Sequence, residues 1–146
     1  MNQIEELIAK IIELRDNIND YIRLEVIEDE AFICDMNSEN QLFEKGITRE
    51  GIKINSYAPY SKNTIAVKIT KGQPTNRVTL RDTEEFHASF VVYADDTKFF
   101  IDAKDWKTNK LVEKYGEEIF GLTDENINEL IWEYIYPALM NKVRNL

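Results

Sequence analysis

Histidine and cysteine each occur once in this 146-residue chain, at His87 and Cys34. A lone cysteine excludes an intrachain disulfide and a cysteine-built metal site, and the simplest setting for it is a reduced, intracellular one. A lone histidine leaves no second imidazole for a zinc site and no partner for Ser61 or Ser89 in nucleophilic catalysis. Proline is also scarce, at three, and glycine occurs five times, with no repeat or low-complexity segment. No apolar run approaches the roughly 18 residues of a membrane span. The start, MNQIEELIAKIIELRDN, interleaves charges with its apolar residues, so it is not expected to be a secretory signal.

What is present is charge, unevenly spread. The net charge is −9, yet Lys45 to Arg81 holds eight basic residues against one acid, while the rest holds ten against twenty-six. A block of one sign inside a chain of the other points to a charge-complementary contact, with nucleic acid or with the acidic part of an identical neighbour. The plainer reading is a solvated basic loop. With Tyr57 and Tyr60 inside it, the segment also fits a DNA-binding accessory module, which the overall negative charge would restrict to DNA threading a ring.

The pattern predicts a helix over 2–23, where Ile4, Leu7, Ile8, Ile11 and their successors recur at three- and four-residue steps. Val26 to Cys34 reads as a strand, and Asn37 or Ser38 as the cap of a short helix stopped by Gly46. Residues 46–81 are punctuated by glycine and proline and read as a long basic loop or extension. Within it, Ser61 to Thr64 can open a helical turn, whereas Thr64, Ile65, Val67 and Ile69 favour a strand; the sequence does not decide. Phe90 to Tyr93 and Lys98 to Asp102 predict a hairpin, and a helix near 106–115 should stop at Gly116. Thr123 caps a last helix that Pro137 should kink. The fold expected is one α+β domain over 1–146, with the terminal helices packed on a small, mainly antiparallel sheet.

Two stretches are more specific. The first runs Ser56-Tyr-Ala-Pro-Tyr-Ser-Lys-Asn-Thr64 through Lys68 to Val78-Thr-Leu-Arg-Asp-Thr-Glu-Glu-Phe-His-Ala-Ser-Phe90, and the second is Tyr115-Gly116 with Ile119-Phe120-Gly121-Leu122. In order and spacing, over about residues 42–143, they resemble the virion-morphogenesis and tail-completion proteins of tailed bacteriophages. The matching positions are Ser56, Pro59, Thr64, Lys68, Leu80, Asp82, Thr83, Phe86 and Ser89, then Phe120 and Gly121. At 84 the pattern's glycine is replaced by Glu84. The resemblance implies a structural head–tail connector or tail-completion ring subunit without catalytic residues. It implies partners among identical subunits, portal, adaptor or tail proteins and genomic DNA in the lumen. The location implied is the neck or tail of the virion, with assembly in the host cytoplasm and no membrane involved. From the residues themselves, Asp82 or Thr83 can cap a short helix in which Phe86 and Phe90 share a face.

The expected interface residues are Lys53, Lys62, Lys68, Lys71, Arg77 and Arg81, which would reach an acidic neighbour, and Trp132 and Tyr136. The aromatics Trp132, Tyr134 and Tyr136 fall on more than one helix face, which fits either subunit contact or core packing with one exposed Tyr. No metal or cofactor is expected. The enzymatic alternative is a Mg²⁺-dependent nuclease using Asp102-x-Lys104 with Asp95 and Asp96, a short and common motif. Glu84, Glu85 and His87 can be written as metal ligands, but the plainer expectation is a solvated histidine. Reversing Lys62, Lys68 and Lys71 to Glu is expected to spare the fold and abolish incorporation into a ring or virion.

Overall fold

The computed structural model of the chain describes residues 2–146. Its order is α1 (Gln3–Glu28), α2 (Glu30–Asp35) continuing into a widened helix (Met36–Lys45), α3 (Lys62–Thr70), α4 (Glu85–Ala88), β1 (Phe90–Ala94), β2 (Phe99–Ala103), α5 (Thr108–Tyr115), α6 (Asp124–Leu130) and α7 (Tyr136–Arg144). This is a small α+β fold. Among the described residues no helix is long and apolar enough to cross a membrane.

Helix α1 starts where its chemistry directs. The Asn2 carboxamide accepts from the Glu5 amide while the Glu5 carboxylate accepts from the Asn2 amide, satisfying two otherwise orphaned donors. The helix does not stop at 23, and no strand follows it. Val26 to Glu28 finish α1, and Glu30 to Asp35 form α2. The β-leaning composition of 26–34 is overridden by tertiary burial: Val26, Ile33 and Cys34 are buried from helical positions.

Asn37 and Ser38 are likewise not caps. They lie inside the Met36–Lys45 helix, whose hydrogen bonds are widened to the i→i+5 pattern, and both are buried. Gly46 ends it at φ 62, and a Cβ there would lie 3.0 Å from Arg77 Cβ and Val78 O. The expected loop over 46–81 is interrupted. Ser61 caps α3, its hydroxyl accepting from the Thr64 amide at 3.1 Å, which settles the open choice for helix. On either side of α3 the chain is packed inward, with Ile54, Val78 and Thr79 fully buried.

The hairpin forms as expected. Strands β1 and β2 pair antiparallel from Phe90 opposite Ala103 to Ala94 opposite Phe99. The Asp95 carboxylate accepts from the amides of Thr97 and Lys98, both at 2.8 Å, and closes the turn. Gly116 ends α5 at φ 93, and the Thr123 hydroxyl accepts from Asn126 N to start α6. Pro137 lacks the amide hydrogen that would reach back one turn. The bonds widen to i→i+5 over Ile131–Ile135 just before it, and α7 resumes with the proline in its first turn.

The two halves are joined by buried amides. Asn37 and Gln41 are fully buried on the widened helix. Asn37 Nδ2 donates to Ile119 O at 2.9 Å, and its Oδ1 accepts from Gly121 N at 2.9 Å. Gln41 Nε2 donates to Gly121 O at 2.8 Å, while its Oε1 accepts from Thr123 N and Asn126 Nδ2. Truncating either residue strands buried backbone groups, at about 1–3 kcal/mol for each group left unpaired. Gln41→Ala is therefore expected to lower stability by about 2–4 kcal/mol in urea unfolding; a loss below about 0.5 kcal/mol would refute this role.

Candidate subunit interface

The basic residues expected to face a neighbour are mostly engaged within the chain. Lys68 is buried; its Nζ donates to Arg81 O at 3.1 Å and Gln73 Oε1 at 3.3 Å, above the Tyr60 ring. Lys71 pairs with Asp82 at 2.7 Å. Arg77 Nε donates to Phe43 O at 2.7 Å, and Arg81 pairs with Glu39 while its guanidinium lies over the Phe43 ring. Only Lys53 and Lys62 of the six are exposed without such a partner. The expectation that reversing Lys62, Lys68 and Lys71 spares the fold is therefore corrected. Glu at 68 would place a buried carboxylate against a carbonyl oxygen, so the triple reversal tests folding before assembly. Tyr57 and Tyr60 also spend their hydroxyls internally, on Tyr115 O and on Thr79.

The residues of the two specific stretches gather around one aromatic cluster. Phe86 and Phe90 meet edge to face with centroids 5.1 Å apart, and Phe120 lies 5.2 Å from Phe90 and 6.1 Å from Phe86. The Ser89 hydroxyl donates to Phe86 O and accepts from Asp105 N, fixing the turn into β1. Asp82 does not cap α4. Its carboxylate takes Lys71 and Gln73, and the Lys71 hydrogen bond holds it below the usual carboxylate range. Thr83 Oγ1 accepts from Glu85 N at a long 3.4 Å. Pro59 is exposed, and Thr64 sits in the first turn of α3. Glu84 has an ordinary helical φ of −81, so nothing at that position calls for glycine. Leu80 does carry strain, buried at φ 55, a conformation uncommon for bulky side chains. Gly121 is required: its φ is 117, and a Cβ would lie 2.8 Å from Arg49 Cδ.

The carboxylates of the nuclease alternative are spread along the hairpin. Asp95 closes the turn, Asp96 pairs with Arg23 at 2.9 Å, and Asp102 accepts from Ala103 N near the other end of β2. Phe99 to Asp102 alone spans about 10 Å of extended chain. Among the described residues no group of three His, Cys, Asp or Glu is arranged to hold a metal ion.

Apolar exposure distinguishes the surface. In the first half of α1, Ile4, Leu7, Ile8, Ile11 and Ile12 are between 42% and 69% exposed. A second area is concave. A groove of about 1240 Å³ runs between the later half of α1, the hairpin and the C-terminal helix, lined among others by Ile22, Val26, Phe99, Phe100, Ile131, Trp132, Tyr136 and Leu139. Trp132 and Tyr136 pack on each other, centroids 5.4 Å apart, yet remain 62% and 46% exposed. Tyr134 packs on Phe32, ring centroids 4.1 Å apart, and is itself 36% exposed. Contiguous uncovered apolar area of this kind marks contact surfaces on proteins. The α1 face is legible in the sequence as a helical stripe, but its exposure is not.

His87 is buried, not solvated, and neither ring nitrogen makes a hydrogen bond. Burial pushes its pKa from 6.5 down to about 4, with the Arg81 guanidinium adding to the fall; Glu39 and the backbone of Thr79 and Leu80 oppose it. The unfolded chain then binds this proton at higher pH than the folded one. Stability is lost as pH falls from about 6.5 to about 4, by about 3 kcal/mol in all. Glu25, raised to about 7 chiefly by burial and then by Asp29 and Glu28, works in the opposite direction between 4.5 and 7. The direct test is an NMR titration of the single imidazole. A midpoint near 4 is expected, and one near 6.5 would show that His87 is solvated.

Comparison of the chain with known protein families, with curated proteins and with solved structures finds no match.

Proposed function

We propose that this chain is a structural subunit of a tailed-bacteriophage particle. It would act as a head–tail connector or tail-completion protein that packs with copies of itself into a ring between portal and tail. The observation carrying the proposal is how the two stretches resembling such proteins sit together. Residues 56–90 and 115–122 are far apart in the chain, yet Phe86, Phe90 and Phe120 pack as one cluster. Gly121 occupies a backbone position closed to other residues, and the replaced glycine at Glu84 falls where none is needed.

The surface supports the same reading. A subunit that works by packing needs uncovered apolar area, and both the α1 face and the groove provide it. Function here follows from position. The ring would continue the conduit through which genomic DNA passes, with no bond made or broken. Gold-labelled antibody against the chain should decorate purified particles at the neck or tail. Label over the capsid shell, or no label on intact particles, would overturn the proposal.

A further inference from the structure

Helix α1 and the groove are two uncovered apolar surfaces on one chain, one convex and one concave. We propose that residues 3–14 of α1 of one copy seat in the groove of a second copy. The seat deepens the ring reading above, and it is tested separately from it.

The helix cannot fill its own groove. It runs unbroken from Gln3 to Glu28, and Ile22, in its later half, forms part of the groove wall. Ile8 lies about 21 Å up the same helix from Ile22, at 1.5 Å per residue. An α1 seated in the groove would therefore come from another molecule. The volumes are of the same order: twelve helical residues make a rod about 18 Å long and about 10 Å across, or about 1400 Å³, against an open groove of about 1240 Å³ that would take its apolar face.

The width of the face favours a groove over a second α1. Ile4, Ile11 and Ile18 alternate with Leu7 and Leu14 at heptad spacing, so a parallel pair of α1 helices is the competing arrangement. A two-helix seam is narrow, however, while Ile4, Leu7, Ile8, Ile11 and Ile12 cover about 140° of arc. Such a pair would leave Ile12 in water and bring Lys10 against Arg15 of the other helix, at positions where paired coils place opposite charges. A groove walled by Ile22, Phe100 and Trp132 encloses the broad face from several sides. The contact is heterologous, helix of one copy to groove of the next, which is the kind that can close into a ring.

Full-length Leu7→Cys is mixed with full-length Phe100→Cys, or with Trp132→Cys, under mild oxidation. All three positions are exposed, so the fold should survive, and native Cys34 is buried. A covalent dimer is expected in each mixture and not from Leu7→Cys alone. The unaltered chain should sediment as an oligomer, and Ile8→Lys, also at an exposed site, as a monomer. A disulfide dimer from Leu7→Cys alone would establish the helix pair and overturn the seat. Absence of disulfide from both mixtures, or an unchanged oligomer in Ile8→Lys, would overturn it too. A ring seen in particles without these disulfides sinks the seat alone; the disulfides without a ring support the seat and sink the ring reading.

Discussion

The grip of Asn37 and Gln41 on the 119–123 turn is the constraint on which the rest of this fold depends. Two neutral amides on one helix face take up Ile119 O, Gly121 N, Gly121 O and Thr123 N, across some eighty residues of chain. Each bond adds only about 1 kcal/mol net, but each buried group left unpaired costs more than that. The interaction therefore specifies as much as it stabilises, because the turn can dock in one register only. Gly121 keeps a positive φ beneath Arg49, Phe120 is delivered to Phe86 and Phe90, and Thr123 is placed to cap α6. Since α6 leads into the helix carrying Trp132 and Tyr136, the groove wall follows from the same contact.

Features with local causes were legible in the sequence. The periodicity of α1, the Asp-rich hairpin turn, the stops at Gly46 and Gly116 and the Thr123 cap all depend on residues within a turn or two of one another. Features set by distant partners were not. Val26 to Cys34 has the composition of a strand, and only its packing against β1 and the C-terminal helix makes helix the lower state. Asn37 and Ser38 look like caps because short polar side chains usually are; Asn37 instead has its partners beyond residue 118. The acidic chain neighbours of His87 suggest a solvated ring, whereas the residues that bury it include two phenylalanines and the strained Leu80 segment.

The candidate surface divides in the same way. The +7 block was real as arithmetic, but charge counted along the chain ignores who sits opposite. Lys71 has Asp82, Arg81 has Glu39, and Lys68 and Arg77 are spent on carbonyl oxygens. Arg49 also donates to Phe120 O, which leaves Lys45, Lys53 and Lys62 of the block, too little to define a partner by charge. Trp132 and Tyr136 are exposed, and so are the isoleucines of the apolar stripe in the first half of α1. The surface that would serve the proposed assembly is thus uncovered apolar area and not net charge, and salt does not screen it.

We propose that this chain is completed by copies of itself at the neck or tail of a phage particle. Electron cryomicroscopy of intact particles, focused on the region between portal and tail, tests it most directly. The account predicts a closed ring into which this fold can be placed repeatedly, with no subunit's α1 left bare to solvent. Particles whose neck and tail contain no density for the fold, or that hold it as isolated copies with α1 exposed, would contradict it.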